Sequence, residues 1–298
     1  MSISIKNAVV ALWGMARPLI MLSVILVYLA GALVAWGRGH PLRGAALAWG
    51  LAAGVLVVAS IHYANEYADH ETDALTTPTP FSGGSGVLPR GLVPRRVALW
   101  AAWAALALGL AVALAGLARG VLSPAALLAL FLGAFGGWMY SLPPLALAWR
   151  GWGEADNAAL GGIVLPLYGY AVQAGRVDWE VIVGCLPFAL LVFANLLATT
   201  WPDRRADGRV GKRTLAARWP VSRLRLLYAL AVAASFVLLP GLAGRTLPGP
   251  VALSGLLALP LALWGAWRYT RIESPHPTVY AMVGLLLAQM GGWALVVL

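Results

Sequence analysis

The chain has 298 residues, 61% of them hydrophobic and only 11% charged, a balance that excludes an ordinary soluble globular domain. That length is enough for about nine membrane-spanning helices of roughly 20 residues each. The net charge of +10 comes without a charged tail or an aromatic-basic patch, so nucleic acid is not an expected partner.

Taken in order, the first apolar stretch runs over about 9–36, with Arg17-Pro18 near its start. The proline either begins the regular helix or kinks it. The stretch is long enough to stay in the bilayer, and no cleavable signal pattern precedes it. A second stretch, about 45–67, runs into Asn65-Glu66-Tyr67-Ala68-Asp69-His70-Glu71-Thr72-Asp73. The longest polar connection, 76–94, contains Phe81-Ser82-Gly83-Gly84-Ser85-Gly86 and Arg90. Its glycines suit close backbone approach to an anion, or simply a flexible loop. Stretches at about 96–117 and 124–140 follow, then the turn Tyr140-Ser141-Leu142-Pro143-Pro144 and Arg150-Gly151-Trp152-Gly153-Glu154. The fifth and sixth stretches cover about 158–174, followed by 181–201. Pro202 then introduces Asp203-Arg204-Arg205-Ala206-Asp207. The next connection is the most basic in the chain, and stretches at about 226–242, 251–269 and 279–297 complete the count. The lone Cys185 can form no internal disulfide and reads as packing. The expected architecture is a single all-α membrane domain over 1–298 with nine transmembrane helices.

Charge placement orients it. With nine spans, 16 of the 21 Lys and Arg residues lie on the side that carries the N-terminus and both Asp motifs. Only Arg38, Arg43, Arg119, Arg176 and Arg245 lie on the other. The positive-inside rule then makes the N-terminus and both motifs cytoplasmic.

The two acidic motifs are the chemical signal. Residues four apart on a helix differ by only about 40° in direction. Asn65, Asp69 and Asp73 therefore share a face, as do Asp203 and Asp207. Stacked carboxylates repel, more strongly where water is scarce, so a positive partner is needed between them. Hard oxygen ligands suit Mg²⁺ completed by substrate phosphates. His62 and His70 flank the first motif without zinc spacing. Lys212 and Arg213 serve either phosphate oxygens or topology alone. Glu154 is either an acid near an acceptor or an acid favoured at a helix N-terminus. A cation transporter could also place carboxylates in a membrane, but it would favour acids near the midplane and internal repeats. Neither is visible here.

The two Asp motifs, ending the second and sixth spans and so on one side of the membrane, resemble the paired signatures of the UbiA-type intramembrane prenyltransferases. Arg17-Pro18, Tyr140-Ser141 with Pro143-Pro144, and Gly211-Lys212-Arg213-Thr214-Leu215 extend the resemblance over most of the chain. The resemblance implies nine helices around a central cavity in the cell membrane, open to the cytoplasmic side. It implies an isoprenyl pyrophosphate donor held through two Mg²⁺ ions by Asn65, Asp69, Asp73, Asp203 and Asp207. Lys212, Arg213, Arg17 and Tyr140 carry over as pyrophosphate contacts. Connections at about 74–94 and 208–220 would cap the site and exclude water. The chain departs from the family after Pro144, where Leu145-Ala146-Leu147-Ala148 leaves only Arg150, and after Asp73, where Ala74-Leu75-Thr76-Thr77-Pro78 carries no basic residue. Arg90 is the candidate to compensate. Within the family, Thr79-Pro80-Phe81-Ser82-Gly83-Gly84-Ser85 and Gly151-Trp152-Gly153-Glu154 look most like the 1,4-dihydroxy-2-naphthoate polyprenyltransferases of menaquinone synthesis. Acceptors such as 4-hydroxybenzoate, homogentisate, chlorophyllide or haem remain alternatives.

Overall fold

A computed structural model describes residues 5–298. They form helices throughout, and the one β feature among them is an isolated bridge between Ala243 and Leu247. Seven helices are long and apolar enough to cross a membrane: Pro18–Gly37, Gly44–Ala68, Arg95–Ala118, Pro124–Ser141, Val221–Leu242, Gly249–Arg268 and His276–Val297.

The first apolar stretch is two helices, not one. Arg17 adopts a left-handed conformation, φ 51°, and separates α1 (Ile5–Met15) from α2 (Pro18–Gly37). Pro18 sits at the first position of α2, where a missing N–H costs nothing. After α3 (Gly44–Ala68), the short α4 (His70–Asp73), α5 (Arg95–Ala118), α6 (Pro124–Ser141) and the short α7 (Leu147–Arg150), the fifth expected span is an interrupted stretch. It comprises α8 (Gly153–Ala159), a π turn over Leu160–Val164 and α9 (Leu165–Ala174). Pro166 lacks the N–H that a regular ladder requires, and the π turn accommodates it. The sixth expected span is likewise broken, into α10 (Trp179–Gly184) and α11 (Leu186–Thr200), just ahead of Pro187. By hydropathy alone both stretches are continuous, because hydropathy does not register a proline break.

Beyond α11 lie the short α12 (Arg204–Arg209) and α13 (Leu215–Arg218), then α14 (Val221–Leu242), α15 (Gly249–Gly255), α16 (Leu259–Arg268) and α17 (His276–Val297). The most extensive pairings are α3 with α5 and α2 with α9. The second brings backbone against backbone: a Cβ on Gly31 would lie 1.9 Å from the Pro166 carbonyl oxygen, and one on Gly169 would lie 2.1 Å from that of Tyr28. Small residues at a seam supply the packing that apolar burial cannot drive within lipid. Large apolar side chains such as Trp100, Val237 and Leu257 point outward, at 70% exposure or more, as a lipid-facing belt requires.

Contact between α4 and α12 joins the two acidic motifs at one end of the bundle.

Candidate active site

The first motif straddles a helix end. α3 stops at Ala68 because Asp69 leaves helical geometry at φ −90°, ψ 9°. The ladder nearly continues: Asp69 N donates to Asn65 O at 2.8 Å and Asp73 N to Asp69 O at 2.8 Å. The shared face survives the break, and Asn65 Nδ2 donates to Asp69 Oδ2 at 2.9 Å. In the second motif Asp207 N donates to Asp203 O at 2.9 Å. Asp69, Asp73 and Asp207 are all buried.

Lys212 joins the motifs. Gly211, at φ +81°, turns the chain so that Lys212 N donates to Asp207 O at 2.9 Å. The ammonium then lies 2.8 Å from Asp69 Oδ2 and 3.8 Å from Asp207 Oδ1. Thr214 Oγ1 donates to the other Asp207 oxygen at 3.1 Å, and Trp149 Nε1 to Asp69 Oδ1 at 3.2 Å.

The glycine-rich loop covers the same cluster. Gly83 N donates to Asp203 Oδ2 at 3.0 Å. Gly84 has φ +66°, and a Cβ there would sit 2.0 Å from Asp73 Oδ2. Only glycine permits this approach of backbone to carboxylate. The loop is latched through Glu66, whose Oε1 accepts from Ser85 N at 2.9 Å and whose Oε2 accepts from Ser85 Oγ at 2.6 Å. Glu66 Oε1 also receives Arg17 Nε at 3.0 Å and Nη2 at 2.7 Å, while Arg17 Nη2 reaches Asn65 Oδ1 at 3.2 Å. The left-handed Arg17 thus brings the start of α2 into the site.

Burial dominates the electrostatics. It pushes the Asp73 carboxyl up to about 8, with Asp69 adding repulsion. It likewise holds Asp203 and Asp207 at about 6. Burial alone would lower the Lys212 ammonium, but Asp69 and Asp207 hold it above its ordinary value.

Among the described residues no three acid, His or Cys side chains converge to cage an ion. Instead, carboxylates face each other from two motifs, and Asp207 Oδ1 is buried without a hydrogen bond. This donor set fits a hard divalent cation that takes one or two carboxylates and completes its shell with water and substrate oxygens.

Five residues named from the sequence lie together: Asp69, Asp73, Asp203, Asp207 and Lys212, with Asn65 and Arg17 beside them. Others sit differently. Arg90 is exposed and gives its Nε to Gly86 O at 2.8 Å, and it makes no hydrogen bond or ion pair to the carboxylates among the described residues. The Arg213 side chain is exposed, and its backbone N donates to Trp149 O at 3.0 Å. The Tyr140 ring packs against Gly153, and its phenol stays within electrostatic reach of Lys212 and Asp69, at the edge of the cluster. Glu154 is buried and accepts from Leu215 N, the first residue of α13, at 3.0 Å. It therefore steadies the connection that carries Lys212. Sequence reasoning missed Glu66, Trp149 and Thr214. Glu66 lies about 100° round the helix from Asn65, off the shared acidic face. Trp149 sits in the segment noted only for lacking basic residues.

The model of the UbiA prenyltransferase family matches residues 24–295. The chain belongs to the UbiA prenyltransferase family. It is 34% identical over 262 residues to the 1,4-dihydroxy-2-naphthoate octaprenyltransferase of Mycobacterium tuberculosis, covering 84% of this chain and 83% of that one. It is 30% identical over 256 residues to the enzyme of the same name from Mycobacterium leprae, covering 83% and 81%. Among solved structures, a UbiA homolog from Archaeoglobus fulgidus bound to GPP and Mg²⁺ superposes with a TM-score of 0.72 at 19% identity, covering 96% of this chain and 99% of that one. One from Aeropyrum pernix gives 0.70 at 20% identity, covering 93% and 98%. These two share the fold. The enzyme is therefore a membrane prenyltransferase, and the cation-transporter alternative is set aside.

Proposed function

We propose that the enzyme transfers a polyprenyl group from an isoprenyl pyrophosphate to 1,4-dihydroxy-2-naphthoate, with Mg²⁺ as cofactor. The observation that carries the reading is the meeting of two buried acidic motifs, distant in sequence, around one lysine. The names of the two mycobacterial relatives support the acceptor. The GPP and Mg²⁺ bound by the Archaeoglobus homolog support the donor chemistry.

Asp69, Asp73, Asp203 and Asp207, with Asn65 orienting Asp69, are the residues to hold two ions. When bound, these ions neutralise the charge that gathers on the departing diphosphate. Lys212 and Arg17 hold diphosphate oxygens, and Arg213 reaches them by turning inward. The allylic C–O bond breaks, and its electron pair leaves with the diphosphate. The electron-rich ring carbon bearing the carboxylate attacks the prenyl carbon, and the bond to the carboxylate then breaks, its electron pair restoring the aromatic ring as CO₂ departs. Trp149, hydrogen-bonded to Asp69, presents an aromatic surface that steadies positive charge on the prenyl group. The loop 82–86 and the connection 208–220 exclude water. Nine spans, with 153–174 and 179–200 as the two interrupted ones, put the N-terminus and this site on the cytoplasmic side, where 16 of 21 basic residues then lie.

Purified enzyme with labelled geranyl pyrophosphate, Mg²⁺ and dihydroxynaphthoate should form a prenylated lipid with release of CO₂. Consumption of 4-hydroxybenzoate instead would reassign the acceptor. Asp69→Ala and Asp203→Ala should fold yet lose at least about 100-fold in turnover, the scale on which removing a charge-stabilising group acts. Full activity in either variant would remove that residue from the site.

A further inference from the structure

The carboxylates that face one another here already accept hydrogen bonds from the chain itself. Asp69 Oδ2 receives Lys212 Nζ at 2.8 Å and Asn65 Nδ2 at 2.9 Å, and its Oδ1 receives Trp149 Nε1 at 3.2 Å. Asp207 Oδ2 receives Thr214 Oγ1, and Oδ1 faces the same ammonium at 3.8 Å. The Lys212 side chain is only 11% exposed, so little water screens its charge. A divalent cation approaching both Asp69 and Asp207 meets the positive charge of Lys212 between them.

We infer that Lys212 makes binding of the divalent cation depend on the diphosphate: its ammonium competes with the cation for Asp69 and Asp207, and diphosphate oxygens draw it away. The inference rests on the reading that this site takes a metal and a diphosphate. The lysine is built for the exchange. Its backbone is pinned, with N donating to Asp207 O at 2.9 Å, while four flexible carbons leave the ammonium free to swing. A diphosphate offers it several anionic oxygens at the moment the cation needs the carboxylates. The two ligands then bind as a coupled pair, and each raises the affinity of the other by the same factor. When the diphosphate leaves, the ammonium returns to Asp69 and expels the cation.

The test is direct binding of Mn²⁺, followed by electron paramagnetic resonance, to full-length enzyme in lipid nanodiscs, with and without inorganic pyrophosphate. Wild type should bind Mn²⁺ at least about tenfold more tightly when pyrophosphate is present, within the usual range of such couplings. Lys212→Met should bind Mn²⁺ alone at least about tenfold more tightly than wild type and lose most of the enhancement by pyrophosphate. Lys212→Arg keeps the charge and should keep weak binding of Mn²⁺ alone. If Lys212→Met binds Mn²⁺ alone no better than wild type, the inference is overturned. Should that variant not fold, an absence of coupling in wild type overturns it equally. A wild type that binds no Mn²⁺ even with pyrophosphate would instead refute the metal–diphosphate reading of the site, a different and separable result.

Discussion

Glu66→Ala removes the acceptor of four hydrogen bonds: two from Arg17, one from Ser85 N and one from Ser85 Oγ. Glu66 is 1% exposed and its partner Arg17 20% exposed. Removing one member of a buried ion pair costs about 3–5 kcal/mol, because the other charge is left without compensation. Arg17 retains its bond to Asn65 Oδ1 and some water, which places the loss toward the lower end, about 3 kcal/mol. Stranding the Ser85 donors adds about 1 kcal/mol or more. Glu66→Gln keeps an oxygen for Arg17 and Ser85 N and should cost about half as much. The assay is reversible unfolding in mixed SDS and dodecyl maltoside micelles, run as a double-mutant cycle with Arg17→Met. An interaction energy near 2 kcal/mol is expected for residues sharing one network. Tryptic cleavage after Arg90 should also accelerate, since the latch on Ser85 is gone. Additivity within about 0.5 kcal/mol would refute the claim that Arg17, Glu66 and the loop are one unit.

The remaining predictions concern the carboxylates and their cover. Asp73 titrates at about 8 and Asp203 and Asp207 at about 6, against 3.8 for the ordinary group. Between those limits the native state keeps protons that the unfolded chain has released, so these three groups lower stability as pH rises. Without divalent cation the thermal midpoint should therefore fall from about pH 5 to pH 8. Mg²⁺ affinity should rise over about pH 6–8, because binding requires deprotonated ligands; an affinity flat over that range would count against the assignment. Gly84→Ala would push a methyl group into Asp73, and a misplacement of about 1 Å costs on the order of 100-fold in rate. Gly91→Ala is the control: it has a similar φ of +68° but open space around it, so it should retain the Mg²⁺ dependence. Arg90→Ala should change turnover by no more than about twofold, as for a surface residue outside the cluster.

Much of this protein is written locally. Long apolar runs dictate helices in a membrane, because lipid leaves the backbone no other hydrogen-bond partner. Four-residue spacing put Asn65 and Asp69 on one face, and the hydrogen bond from Asn65 Nδ2 to Asp69 Oδ2 bears this out for that pair. Pro18 marked the start of a helix by removing an N–H that the first turn does not need. What packing alone decided involves partners far apart in sequence. Nothing near Lys212 in the chain indicates that its ammonium meets Asp69, nor that Arg17 would reach Glu66 and Glu66 the loop at Ser85. Lys212 and Arg213 looked equivalent as neighbouring basic residues beside a motif, yet only the Lys212 side chain lies against the carboxylates while that of Arg213 is exposed. Periodicity along one helix fixes which side chains share a face; the choice between two such faces, and the lysine held between them, depends on how separate helices dock, and that is a property of the whole bundle.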